Sequence, residues 1–482
     1  MNEGTLESAQ SVMGTITPET LARLESELGS DSVLVERSDV ERYEQGWRYG
    51  QGRAAAVVRP RTPEQVQRVV ELAAEFDLRL HAMGANTGLV GASNPDGTGE
   101  QLVVSFERLN QRIEIDPIDR TVTCDAGVLL SALNEALAEH GLEFPIDLGA
   151  DPQIGGMIAT NTGGTRLMKH GDVRDNLLGL EVVLPSGAVV SKLTPLRKDN
   201  TGLDWKQLFV GTSGRFGFIT RATLTVSPIP KQTASALIAA RDGQALLDLL
   251  AHLERHAGST LTAFEAISRA ALEPTLEHGA NLTNPFPGGA PGYTGLVELT
   301  SALSEARLNL TELLEQVLGD YVENDEKEGL EDVLLGRAED FWRIRHQVSE
   351  SLREEGEVLA LDLSVPRSCM AEFTAQAREQ LAAIDSGAKL CDFGHWGDGG
   401  THLNLVFPVG TQPEKKAAAQ TAIYDLVAHS FGGSFSAEHG LGPHNQSHFD
   451  RLGDPHVRAL QEQLAAWLDP KSRLKRHDSG KP

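Results

Sequence analysis

Asp147-Leu148-Gly149-Ala150-Asp151-Pro152-Gln153-Ile154-Gly155-Gly156-Met157-Ile158-Ala159-Thr160-Asn161-Thr162-Gly163-Gly164 is the stretch whose reading decides the fold. Five glycines and several small or hydroxyl residues in eighteen positions cannot build an ordinary packed core. Glycine has no Cβ, so the backbone N–H groups of such a stretch can approach a large ligand closely. Working outward, a second loop of this kind, Gly84-Ala85-Asn86-Thr87-Gly88-Leu89-Val90-Gly91, follows the apolar, strand-like Leu78 to Ala82. One glycine-rich turn alone would signify little. Two long ones, each behind an apolar segment, point to a single extended cofactor that carries phosphates.

The 482 residues suffice for two or three domains of about 100–200 residues each. With 40% hydrophobic but only 5% aromatic residues, the composition is that of a soluble globular protein with an aliphatic core. A net charge of −25 argues against nucleic acid or an anionic membrane surface as the main partner. An anionic substrate must therefore meet a locally basic site inside a repelling field. Cys124, Cys369 and Cys391 lie far apart without C-x-x-C spacing, which excludes a disulfide framework or an iron–sulfur cluster held by this chain alone. The first twenty residues are polar and acidic, and no apolar run approaches the ~20 residues of a membrane span, so no membrane insertion is expected. Together these features lead to the expectation of a cytoplasmic protein.

Four segments are expected: a helical opening over 1–49, a cofactor domain over 50–230, an α+β substrate domain over 231–430, and a closing segment over 431–482. Helical spacing covers 17–45, and Thr62-Pro63-Glu64-Gln65 reads as the capped start of a helix through Phe76. Short strands are expected at Ala54–Val58, Leu102–Phe106, Ile113–Asp116, Val122–Ala126 and Phe218–Val226, with a hairpin over 178–191. Beyond Pro228 and Pro230, helices at Gln244–His256 and Ser304–Leu318 alternate with strands at Thr294–Leu299 and Leu403–Phe407. Another helix is expected near 455–468.

Neither the dinucleotide fingerprint G-x-G-x-x-G nor the phosphate loop G-x-x-x-x-G-K-[ST] occurs, so NAD and nucleotide hydrolysis lose support. The two loops, the opening Arg59-Pro60-Arg61-Thr62-Pro63-Glu64-Gln65-Val66, and the later turns Leu196 to Gly202 and Phe216-Gly217-Phe218-Ile219-Thr220 resemble the FAD-linked oxidases of the vanillyl-alcohol-oxidase-type flavin fold. The similarity runs over about residues 50–470. Within that family it is greatest to D-lactate and D-2-hydroxyglutarate dehydrogenases and the flavin subunit of glycolate oxidase. The resemblance implies an α+β protein: an FAD-binding PCMH-type domain, an α+β cap with an antiparallel sheet, and a closing helical segment that returns to the flavin. It implies FAD contacts from Gly84, Ala85, Asn86, Thr87, Gly88, Leu89 and Gly91 in the first loop. Asp147, Gly155, Gly156, Ala159, Thr160, Asn161, Gly163 and Gly164 would serve in the second, with Gly217 and Ile219 from the later turn. Asn86 stands where some relatives carry a flavin-linking histidine, so the FAD is expected to be non-covalent.

A second constellation is Gly394-His395-Trp396-Gly397-Asp398-Gly399-Gly400-Thr401-His402-Leu403-Asn404, whose histidines flank a tight turn and could face one metal. A Glu438-His439 pair follows in Ser434 to Gly440. Two histidines and one carboxylate leave an open coordination position, as catalytic zinc sites do. The resemblance implies His395, His402 and Glu438 as ligands of zinc or another divalent metal, and His439 as the base. It also implies Arg345 as the carboxylate-binding arginine and Ser349, one helical turn later, as its hydroxyl partner. Asn404, two residues beyond His402, could share its strand face and bond the substrate.

Some positions depart from the family. Ala360 stands where a lysine is frequent, Ser213 where Glu is common, and the stretch from Asp469 lacks the usual Asn-Pro-Gly. Loss of the lysine leaves a second substrate carboxylate with fewer partners. The expected activity is therefore metal-assisted, FAD-dependent oxidation of a D-2-hydroxy acid, with a monocarboxylate such as D-lactate favoured. The alternatives are a glycolate-oxidising subunit, a D-2-hydroxyglutarate dehydrogenase, or a non-catalytic flavin-binding subunit. Electrons would leave to a separate protein, cytochrome or quinone, and a homodimer is compatible with the pattern.

Overall fold

The structure, a computed structural model, describes residues 16–324 and 329–474. Thr17 caps the first helix, Pro18–Leu28, by accepting the Thr20 N–H, and Pro18 fills the first turn where no amide partner is needed. Helical spacing persists in the sequence toward residue 45, but Gly29 at φ +87° breaks the helix. The chain then makes the short strand Val33–Leu34 and the turn of helix Arg37–Val40.

Ala54–Val58 and Arg79–Met83 both run parallel to Gln101–Ser105, with Val33–Leu34 antiparallel at the edge. Parallel strands need a crossover, which the helix Pro63–Glu75 provides. The Thr62 hydroxyl accepts the Gln65 N–H at 3.3 Å, as the capping pattern predicts. A five-stranded antiparallel sheet follows, in the order Ile113–Asp116, Thr121–Asp125, Phe218–Thr225, Leu177–Val183, Val189–Lys192. One aliphatic core lies against both sheets.

The deciding stretch is more ordered than a loop. Ile154–Thr160 is helical, and Gly155 packs so closely that a Cβ there would lie 2.7 Å from the Cβ of Ala126. Asn161, at φ +53°, turns the chain out of this helix.

Residues 232–407 supply a seven-stranded antiparallel sheet in the order Leu330–Gly336, Gln232–Ala240, Tyr293–Ser301, Leu261–Ser268, Lys389–Gly394, Gly400–Phe407, Glu357–Ser364. Helices Gly243–His256, Leu310–Asn324, Met370–Ile384 and Pro413–Asp425 contribute to the core on one face. Helices Arg269–His278 and Ala338–Ser351 contribute to the other. The helix expected from Ser304 begins at Leu310, because the Asn309 side chain accepts the Thr311 and Glu312 N–H groups and fixes the start there.

The closing segment returns to the first half of the molecule. Ala465 and Leu474 join the first core, and the Leu80 N–H donates to the Arg473 carbonyl at 2.8 Å. No described helix is long and apolar enough to cross a membrane.

Candidate active site

Between the first two sheets lies a pocket partly open to solvent. Gly84, Gly155, Gly156, Ala159, Thr160, Gly217 and Ile219 of the expected FAD residues line it. A Cβ on Gly156 would meet nothing within 4 Å, so the backbone is open there. Gln153 also lines the cavity, and its side-chain oxygen is buried with no hydrogen-bond partner. A buried polar atom left unsatisfied by the protein fits a site completed by a polar ligand. The pocket thus suits FAD, and Gln153 is a lining residue absent from the expected set.

The other expected FAD residues lie outside this cavity wall. Asn161 binds Asp172 and the Arg174 N–H with its side chain, so its side-chain role is to hold the loop. Asp147 lies near Arg166, 3.7 Å away, and its carbonyl accepts the Thr165 N–H at 3.3 Å. Asn86, at φ +57°, donates to the Gln45 carbonyl and accepts from Ser93, each at 2.6 Å. A neutral amide engaged in this way is no flavin-linking nucleophile. Acid precipitation is expected to release the yellow colour into the supernatant; colour retained in the pellet would refute non-covalent binding.

At the near end of the seven-stranded sheet the two histidines converge. His395 follows Lys389–Gly394 and His402 lies in Gly400–Phe407, and their Nε2 atoms are 3.2 Å apart. Glu438 brings a carboxylate oxygen to 3.6 Å from His395 Nε2. The three ligand atoms lie within 4.8 Å of one another. His395 Nδ1 is 2.6 Å from Glu265, which is 1% exposed in the middle of its strand. A carboxylate on the far ring nitrogen fixes the imidazole and leaves Nε2 facing His402, a familiar support for metal-binding histidine. The donor set fits a divalent cation.

Burial raises the Glu265 carboxyl, but Arg345 and then His395 outweigh it and hold it well below the usual carboxylate range. Burial also lowers His395, yet Glu265 and Glu438 bring it up to about 9. His402 is held well below the ordinary imidazole value, by burial first and then by His395 and Arg345.

Asp362, opposite His402 in the sheet register, builds the turn that carries Glu438 and His439. Its Oδ2 accepts the N–H of both residues at 2.8 Å and lies 3.7 Å from His439 Nδ1. Glu438 reaches further still, accepting the Gly164 N–H at 3.1 Å. Glu438 is therefore tied to the second glycine-rich stretch, although it stands far from it in sequence.

Arg345 is buried on the helix Ala338–Ser351, its Nε paired with Glu265 and its guanidinium 4.6 Å over the Phe393 ring. One edge of the expected carboxylate binder is thus committed to a protein partner. Ser349 is half-buried one turn along the same helix. Asn404 is buried, and its side chain donates to the His402 carbonyl at 3.2 Å.

Residues 54–192 match the FAD binding domain, and residues 229–477 match the C-terminal domain of FAD linked oxidases. D-2-hydroxyglutarate dehydrogenase of Danio rerio, a mitochondrial protein, is 33% identical over 88% of this chain and 78% of its own. The D-2-hydroxyglutarate–pyruvate transhydrogenase of Saccharomyces cerevisiae is 29% identical over 92% of this chain and 91% of its own. Among solved structures, p-cresol methylhydroxylase with substrate bound superposes with a TM-score of 0.71 at 16% identity over 94% of each chain. Alkyldihydroxyacetonephosphate synthase does so with a TM-score of 0.72 at 15% identity, covering 98% of this chain and 87% of the other. At those identities the structures speak to the fold alone.

The chain belongs to the FAD-linked oxidase family, a PCMH-type FAD-binding domain joined to its C-terminal partner domain. It is an FAD-dependent enzyme. The expectation of a plainly cytoplasmic protein is corrected by these relatives, several of which are mitochondrial by name. That expectation leaned on the first twenty residues, of which 1–15 lie outside the described residues, on the lack of a membrane-length apolar run, and on three cysteines without pairing spacing. Free thiols fit any reducing compartment, and burial pushes both Cys124 and Cys391 up to about 12, so they say little about location.

Proposed function

We propose that this FAD-dependent 2-hydroxy-acid dehydrogenase oxidises a D-2-hydroxy acid to its 2-oxo acid with the help of a divalent metal. The convergence of His395, His402 and Glu438 beside His439 is the observation that carries this reading. The names of the Danio rerio and Saccharomyces cerevisiae relatives support the substrate class.

Bound FAD supplies the acceptor for the hydride leaving C2. A divalent cation held by His395, His402 and Glu438 supplies Lewis acidity that lowers the pKa of the substrate hydroxyl. The chain's own residues do the rest. His439 takes the hydroxyl proton, and Asp362 fixes the backbone on which its imidazole stands. Glu265 orients His395 and holds Arg345, whose remaining N–H groups face the substrate carboxylate. Electrons then leave to a separate protein, cytochrome or quinone.

Preference for D-lactate over longer acids follows from Ala360 only if no cation from another part of the chain reaches the same pocket.

Chelation is expected to abolish most turnover while FAD stays bound, because the cavity wall is formed by other residues. His395→Ala and His402→Ala are expected to lose metal and turnover together, measured as metal per flavin. Full metal occupancy in either variant would sink the ligand assignment.

A further inference from the structure

A pocket separate from the FAD cavity opens beside His439 and Ala360. Leu89 and Val90 of the first glycine-rich loop close one part of it, and Tyr49, stacked on His444 at 4.4 Å, forms an aromatic wall. Most of its polar groups are already engaged. Asp362 accepts the Glu438 and His439 amides, the Ser436 hydroxyl donates to the Gly440 carbonyl, and Asn445 bonds Gly440 and Gly442.

Arg48 lines the same pocket and is half-buried, yet no carboxylate among the described residues pairs with it. Its guanidinium carbon lies 5.6 Å from the Tyr49 ring centroid. In a chain with 68 acidic and 43 basic residues, a half-buried arginine without a carboxylate partner among the described residues is notable. Its position is also built. Gly46 N–H donates to the Gly50 carbonyl at 3.0 Å and Gly52 N–H to the Glu44 carbonyl at 2.8 Å, closing the turn that presents it. A Cβ on Gly46 would lie 2.0 Å from the Tyr49 carbonyl oxygen, so the turn admits only glycine there. Asn86 of the first glycine-rich loop holds Gln45, fastening the turn to the cofactor side.

We infer that Arg48 binds an anionic group at the far end of the substrate's side chain, and so sets the specificity of the enzyme toward 2-hydroxy acids with a second carboxylate. This rests on the 2-hydroxy-acid reading and deepens it. Ala360 removes a side chain from the strand Glu357–Ser364 at this pocket, and Arg48 supplies the missing positive charge from the opening segment of the chain. A guanidinium can hold a carboxylate through two parallel N–H bonds, in a pocket where Asp362, Ser436 and Asn445 are already engaged. The lowered pKa of His444, from burial first and then from His439 and Arg48, agrees with a charge facing this space.

The test compares kcat/KM for D-2-hydroxyglutarate and D-malate with that for D-lactate and D-2-hydroxybutyrate, using FAD- and metal-loaded protein. The unaltered enzyme is expected to prefer a diacid. Arg48→Gln should lower the diacid-to-monoacid ratio by about tenfold to hundredfold, chiefly through KM, and Arg48→Lys should restore part of it. A preference for monoacids in the unaltered enzyme, or a ratio indifferent to Arg48→Gln, overturns the inference while leaving the 2-hydroxy-acid reading intact. Failure of all four acids to bleach the flavin anaerobically takes down both.

Discussion

His439→Gln is expected to lower kcat for the hydroxy acid by about a hundredfold to ten-thousandfold, the usual span for removing a positioned base. His439 stands on a turn whose backbone is held by Asp362, and its ring lies 6.0 Å from that of His402 at an angle of 18°. Glutamine keeps the polarity and much of the bulk but cannot take a proton near neutral pH. The loss should appear in the anaerobic reduction of the flavin, with FAD and metal content unchanged, which separates a missing base from a collapsed site. Flavin reduction at close to the original rate would show that another group takes the proton.

Glu265→Ala carries the second large effect, this time on both stability and metal. The carboxylate lies between Arg345 and His395 with almost no exposure to water. Removing it leaves a buried guanidinium uncompensated, and breaking a buried pair in this way costs about 3–5 kcal/mol. It also frees the His395 ring, and loss of such a supporting partner weakens metal binding by about tenfold to hundredfold. Glu265→Gln should be milder, because an amide oxygen can still accept a hydrogen bond. Chemical denaturation and a metal-binding titration of both variants check the two effects independently. An Ala variant with unchanged denaturation midpoint and metal affinity would remove Glu265 from this role.

The sequence was most legible where backbone chemistry is local. The capped helix after Thr62 stands where expected, and some residues of each glycine-rich segment line one cavity, because caps and glycines act within a few residues. The His395 and His402 pairing was visible because one turn separates the two histidines. Their supports were hidden. Glu265 interrupts the run Leu261-Thr262-Ala263-Phe264 and Ala266-Ile267, and every residue of that strand is buried. A carboxylate there has to find a partner, and this was a signal open to a reader of the sequence alone. Its partners arrive from a helix and a turn distant in the chain, and nothing local names them. Much of the seven-stranded sheet was missed for a related reason. Gln232–Ala240, Leu261–Ser268 and Lys389–Gly394 are buried almost throughout and lack the alternation of apolar and polar residues that marks a half-exposed strand, whereas Leu330–Gly336 is largely exposed and was missed for no such reason. Arg48 was harder still, since its value depends on where a short glycine turn places it.

The return of the closing segment to the first half has a consequence for how the molecule is made. Gly164 and Glu438 touch although 274 positions separate them, and Leu80 pairs with Leu474 across a longer span. During synthesis the amino-terminal portion can bury much of its own apolar surface early, as domains generally fold in order of emergence. It cannot acquire the Glu438 contact, or Leu474, until those residues have emerged in their turn. Competence to bind the flavin tightly should therefore arise only after residues 438–474 are translated, and nascent chains stalled before them should expose an unfinished edge beside Leu80.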